Sequence, residues 1–209
     1  MKTEDLLRIL AEDTLPRPGA RQVLMRWIGP AMAVAFLAMA ATLGLRDGLV
    51  AALSQPLVGL KMVLPLVLAA AALPLALVLA RPGATGRGRW LLIAPALAAL
   101  AAAYAWIVTP EGARMMAFTG KSIGVCLISI PLLSLPILAA VMRALRHGAV
   151  TAPGRAGAVA GLAAGGLATA IYAMHCIEDS PMFYATWYSL GILAAAGIGA
   201  ALGPRFLRW

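Results

Sequence analysis

Charge is scarce in this chain and acid is scarcest: its 209 residues carry eight Asp and Glu against seventeen Lys and Arg, 12% charged in all. Soluble domains average about a quarter charged residues and under half apolar ones. Aromatics make up only 6%, so the apolar share of 62% rests on Ala and Leu. No soluble fold of this size hides that much apolar surface, and the solvent is therefore lipid. Cysteine occurs twice, at Cys126 and Cys176, too far apart for a CxxC motif. There is no phosphate-binding glycine-rich loop, no HExxH and no nucleophile motif, which disfavours an enzyme. Apolar runs lack Asp, Glu, Lys, Arg or His near their middles, where ion-coupled transporters and proton relays usually keep them. The first residues also lack a charged start followed at once by a short apolar core, and a small-residue cleavage site, so the segment is expected to stay on the mature protein.

What is present is a series of apolar runs; the mean hydropathy is +0.90. About 20 apolar residues cross the hydrocarbon as a helix. Six segments qualify: Trp27–Leu45, Met62–Ala80, Trp90–Val108, Ser122–Met142, Ala156–Met174 and Ala185–Leu202. Lipid offers no partner to a backbone N–H, so each must be helical. The expected fold is an all-α integral membrane bundle of six transmembrane helices, arranged by their short loops as three antiparallel hairpins. Residues 1–26 form a polar head and residues 27–209 the membrane domain. The net charge of +9 sits in short clusters between runs. That pattern sets topology and does not suggest nucleic acid. With the N-terminus, second and fourth loops and C-terminus on one side, that side holds 13 Lys and Arg and the other holds 4. The positive-inside rule places the richer side, with both termini, in the cytoplasm.

Spacing adds detail. Arg81, Arg143 and Arg205 recur every 62 residues, each closing an even-numbered helix. Either an ancestral hairpin repeat or three equal hairpins with interfacial anchors would produce this. Gly157, Gly161 and Gly165 share a face of the fifth helix; Gly191, Ala195, Gly199 and Gly203 share one of the sixth. Small-residue faces let backbones approach closely, within one chain or between two. Pro65, Pro74, Pro131 and Pro136 lie inside the second and fourth helices and shape or hinge them.

Three segments could carry function. In the head, Thr3-Glu4-Asp5 resembles a helix start, and Leu6, Leu7 and Leu10 share one face before Pro16 and Pro18 end the turn. That face could dock on a soluble partner or lie on the membrane surface. Cys126 and Cys176 fall near the outer ends of the fourth and fifth helices, within about 7 Å of the same depth. They could form a disulfide, bind a soft metal ion transiently with His175, or be two small buried residues. The loop His175-Cys176-Ile177-Glu178-Asp179-Ser180-Pro181 concentrates charge in a chain short of it. Glu178 and Asp179 could pair with Lys121 or cap the bilayer interface. No resident cofactor is indicated.

Several stretches also look familiar together. They are Met1-Lys2-Thr3-Glu4-Asp5-Leu6-Leu7, Ile130-Pro131-Leu132-Leu133-Ser134-Leu135-Pro136, the His175–Pro181 loop, Trp187-Tyr188-Ser189-Leu190-Gly191 and the ending Leu202-Gly203-Pro204-Arg205-Phe206-Leu207-Arg208-Trp209. Together they resemble, over the whole chain, the NrsF family of bacterial inner-membrane proteins. The resemblance implies a six-span anti-sigma factor that holds an extracytoplasmic-function sigma factor at the membrane. It implies release under metal or oxidative stress through a cysteine pair, which Cys126 and Cys176 match. Leu6, Leu7 and Leu10 then become the sigma-facing element, by topology and not by motif. The head is far shorter than the folded zinc-containing domain of many other anti-sigma factors, so capture must differ. The competing readings are a small transporter for a metal or solute and a structural subunit of a membrane complex.

Overall fold

Runs of Ala and Leu punctuated by Pro and Gly fold into six long helices. A computed structural model of the chain describes residues 3–5, 18–84 and 88–208. The helices are α1 (Ala20–Thr42), α2 (Pro56–Leu79), α3 (Ile93–Val108), α4 (Ile123–Leu145), α5 (Pro153–Tyr172) and α6 (Ser189–Phe206). Proline occupies the first turn of α2 and α5, where its missing N–H costs nothing and its fixed φ suits the helix. At the head of α1 the Gln22 side chain reaches back to accept the Gly19 N–H at 3.2 Å. A 3-10 turn, Gly88–Leu92, leads into α3; Pro181–Phe183 and a π-helical turn, Tyr184–Tyr188, lead into α6. With these lead-in turns counted, all six spans are long and apolar enough to cross a membrane, and no strand occurs among the described residues.

The bundle is built around α5. In its most apolar 18-residue window 78% of the residues are buried, against 17% in the α3 span. Its sides are covered by α6, α2 and α4, while α1 packs mainly on α4 and α3 lies at the edge against α2 and the start of the sixth span. Glycine makes this centre possible. A Cβ on Gly157 would strike the Gly199 carbonyl, and one on Gly161 would strike the Ala195 carbonyl and come within 2.6 Å of the Ala196 Cα. On another side of α5, a Cβ on Gly166 would lie 2.6 Å from the Pro65 carbonyl of α2. The two small-residue faces read from the sequence therefore meet each other inside one chain, except at Gly191, which lies against Ile130 of α4.

Contacts between connections sort the two ends. The Arg46 N–H donates to the Met174 carbonyl at 3.1 Å, the Lys121 N–H to Glu178 Oε1 at 2.7 Å and the Trp187 indole to the Phe118 carbonyl at 2.8 Å. The first, third and fifth connections thus gather at one end, here the cysteine end. At the opposite end the Ala149 N–H donates to the Ala80 carbonyl at 2.8 Å, and Arg143 lies over the Trp27 ring at 4.7 Å. Neighbours in space are not always neighbours in sequence. The first helix takes the fourth as its main partner and not the second, because the glycine-lined α5 draws α2 and α4 onto itself. Short helices at Leu49–Leu53 and Glu111–Thr119 carry the chain across the cysteine end between spans.

The second span also begins earlier than Met62. It starts at Pro56, so Lys61 stands inside a helix and is fully buried.

Candidate functional site: a cysteine pair under an ionic clamp

Cys126 lies one turn into α4 and Cys176 just past the end of α5, and both are free and buried. Ser122 joins them. Its carbonyl accepts the Cys126 N–H at 2.9 Å, and its hydroxyl stands 4.0 Å from the Cys176 sulfur. Both cysteines lie at the same end of the bundle. Beneath them the rings of Tyr172 and Tyr188 meet edge-on with centroids 5.9 Å apart, and Phe183 extends the cluster from Tyr188 at 6.5 Å. Both tyrosine hydroxyls are buried near the Cys176 thiol, yet neither makes a well-formed hydrogen bond.

Above the thiols the His175–Pro181 loop is gripped by two cations from far earlier in the chain. Arg46 forms a fork with Asp179, Nη1 to Oδ1 at 2.7 Å and Nη2 to Oδ2 at 3.1 Å. Lys61 donates to the same Oδ1 at 2.7 Å. Both cations also donate to the Cys176 carbonyl, Lys61 at 2.7 Å and Arg46 at 3.2 Å. Partial burial pushes the Asp179 carboxyl up, but the hydrogen bonds from Arg46 and then Lys61 outweigh it and hold it below the usual carboxylate value. The same Asp179 hydrogen bond is the main reason that the Arg46 pKa is raised. A forked, charge-assisted pair is among the stronger polar contacts a protein makes.

The neighbouring acid takes another role. Glu178 accepts the backbone N–H of Lys121, and neither acid pairs with the Lys121 ammonium, as one reading of the sequence had it. Gly120 allows this approach. Its φ is +54°, and a Cβ there would lie 2.7 Å from Glu178 Cδ and 2.8 Å from a Phe183 ring carbon. His175 Nδ1 donates to the Gly44 carbonyl at 3.1 Å, since a carbonyl only accepts. No group of three or more His, Cys, Asp or Glu stands ready to hold a metal ion among the described residues.

The structure thus brings together Cys126 and Cys176, with His175 at the edge of the same end. Leu6, Leu7 and Leu10 lie outside the described residues. Arg46, Lys61, Tyr172 and Tyr188 were missed by sequence reasoning. The first two had a signal: they are two of only four basic residues on their side of the sequence, facing the only loop there with adjacent acids. The tyrosines had none, because an aromatic at a helix end is ordinary in a membrane protein.

Comparison with known proteins places this arrangement. The family described as "NrsF: Negative regulator of sigma F" matches residues 10–209. The chain is 38% identical over 215 residues to "Probable anti-sigma-F factor NrsF" of Azospira oryzae, with both chains covered completely. It is 37% identical over 216 residues to "Anti-sigma-F factor NrsF" of Caulobacter vibrioides, again over the whole of both. No solved structure matches. A six-helix membrane chain that aligns from end to end with these regulators belongs to the NrsF family, the negative regulators of sigma F, and the role that family fills is regulatory and not enzymatic.

Proposed function

We propose that this chain holds an extracytoplasmic-function sigma factor inactive at the bacterial inner membrane and releases it when chemistry at Cys126 and Cys176 alters the packing of α4 against α5. The observation that carries the sensing half is the shared fastening of the thiols. Ser122 ties Cys176 to the first turn of α4, and the Arg46–Asp179–Lys61 clamp ties its carbonyl to α2. The excess of Lys and Arg on the termini and even-numbered loops supports both termini in the cytoplasm. The cysteine end then faces the periplasm, an oxidising compartment.

The trigger has two chemical forms. In one, the two thiols give up two electrons and two protons to a peroxide, whose O–O bond breaks to give two waters, or an alcohol and one water, as an S–S bond forms. In the other, the thiols lose their protons to bind a soft metal ion. Either draws Cys176 toward α4 and loads the clamp. A change of sigma affinity follows only if the bundle has two arrangements that bind the partner differently. The partner surface comprises the head, with Leu6, Leu7 and Leu10, together with the cytoplasmic loops.

A detergent pull-down of the tagged chain from its own host, beside a version lacking residues 1–20, tests the binding half. The expected result is a sigma factor held by the full chain and lost from the shorter one. Retention by both moves the surface to the loops. Loss from both, with the protein folded, removes the anti-sigma reading and leaves the transporter, which requires cysteine-dependent flux in liposomes. For the sensing half, Cys126→Ser with Cys176→Ser is expected to hold the sigma factor through peroxide or metal stress; unchanged release would end that half alone.

A further inference from the structure

Opposite the cysteine end, α1, α4 and α6 diverge around a groove of about 510 Å³. Pro30 of α1 and Pro136 of α4 stand on its two walls, with Ala139 and Leu202 completing an apolar floor. The volume lies within the range of roughly 300–1,000 Å³ typical of small-molecule sites. Arg143 and Arg146, three residues apart in the last turn of α4 and the residue that caps it, line the mouth. Both side chains are exposed, and neither has a carboxylate partner among the described residues. Arg143 is held in place over the Trp27 ring, 4.7 Å from its centroid. The groove therefore joins an apolar slot at membrane depth to two unneutralised guanidinium groups where the helix leaves the hydrocarbon.

We propose that this groove binds one anionic phospholipid, its acyl chain along the slot and its phosphate on Arg143 and Arg146. Planar guanidinium forks match phosphate oxygens in pairs, and basic pockets between transmembrane helices select anionic head groups. Charge complementarity decides the occupant. A second crevice of about 390 Å³ between α2, α3 and α6 is as apolar, but its one cation, Lys61, is already engaged with Asp179 and Cys176. Of these two, the α1–α4–α6 groove alone offers an anion a partner among the described residues. The inference depends on the membrane setting and not on sigma-factor capture.

The test is native mass spectrometry of the purified full chain titrated with phosphatidylglycerol and, separately, phosphatidylcholine. The intact protein is expected to retain one phosphatidylglycerol in clear preference to phosphatidylcholine. Arg143→Ala with Arg146→Ala should weaken that first binding by roughly tenfold or more. Ala139→Trp, which fills the slot and leaves both charges, should weaken it as well. Arg81→Ala with Arg89→Ala removes the same charge elsewhere and should leave it unchanged. Equal binding of the two lipids, full binding by the first double variant or by Ala139→Trp, or an equal loss in the control pair would overturn the assignment. Each variant is first checked for an unchanged melting temperature in the same detergent.

Discussion

Removing the Asp179 carboxylate would leave the Lys61 ammonium charged with no access to water, since its side chain is fully buried. Breaking a fully buried pair costs about 3–5 kcal/mol. Asp179 itself is 34% exposed, so Asp179→Asn is expected to cost about 2 kcal/mol, read as a lower melting temperature in detergent. Adding Lys61→Met should recover much of that loss, because the stranded charge goes with it; simple additivity of the two would refute the clamp as a unit. The pH dependence follows from the depressed Asp179 value. A carboxyl lowered on folding contributes stability above its unfolded pKa of about 3.9 and loses it as pH falls through the lower folded value. The gap in melting temperature between the native chain and Asp179→Asn should therefore be constant from about pH 5 to 8 and close below about pH 4. A gap that persists at low pH would mean that charge is not its source.

Among the helices, glycines of equal composition predict opposite outcomes. Gly161 of α5 has α6 backbone where its Cβ would go, and backbone cannot step aside. Gly161→Leu should cost about 3 kcal/mol or more and expose the α5–α6 seam to cysteine cross-linkers. Gly197 of α6 has nothing within 4 Å of its would-be Cβ, and Gly197→Ala should be neutral or gain about 0.5–1 kcal/mol. The helices themselves were legible in the sequence because each is a run that water would reject. Their boundaries were less so. Lys61 read as the end of a loop because a lone lysine interrupts an apolar run, and nothing local reveals a partner 118 residues away. The choice of neighbours was likewise hidden: short loops suggest hairpins, but the fit of glycines against carbonyls determines which helices touch.

At the scale of the whole molecule, the two cysteines were legible as a pair because antiparallel spans bring their depths together, and the structure adds Ser122 between them. What holds their loop came from Arg46 and Lys61, side chains 130 and 115 residues earlier in the chain than the Cys176 carbonyl they grip. If that clamp carries the signal, Arg46→Gln should blunt sigma-factor release in a reporter strain while leaving Cys126 and Cys176 as reactive to a maleimide in unfolding detergent as before. A normal response would confine signalling to α4 and α5. The position of α5 has a further consequence, for the order in which the chain is made. Its span has a hydropathy of 1.2, the lowest of the six, and it is synthesised after α1 to α4. Its glycine face is covered only by α6, which leaves the ribosome after it. The earlier helices must then wait in the membrane with the core position vacant until α5 arrives, and α5 in turn waits with its glycines bare until α6 follows. A premature stop before Ser189 would therefore leave a bundle whose central helix keeps an open glycine face, a substrate for membrane proteases and not a shorter regulator.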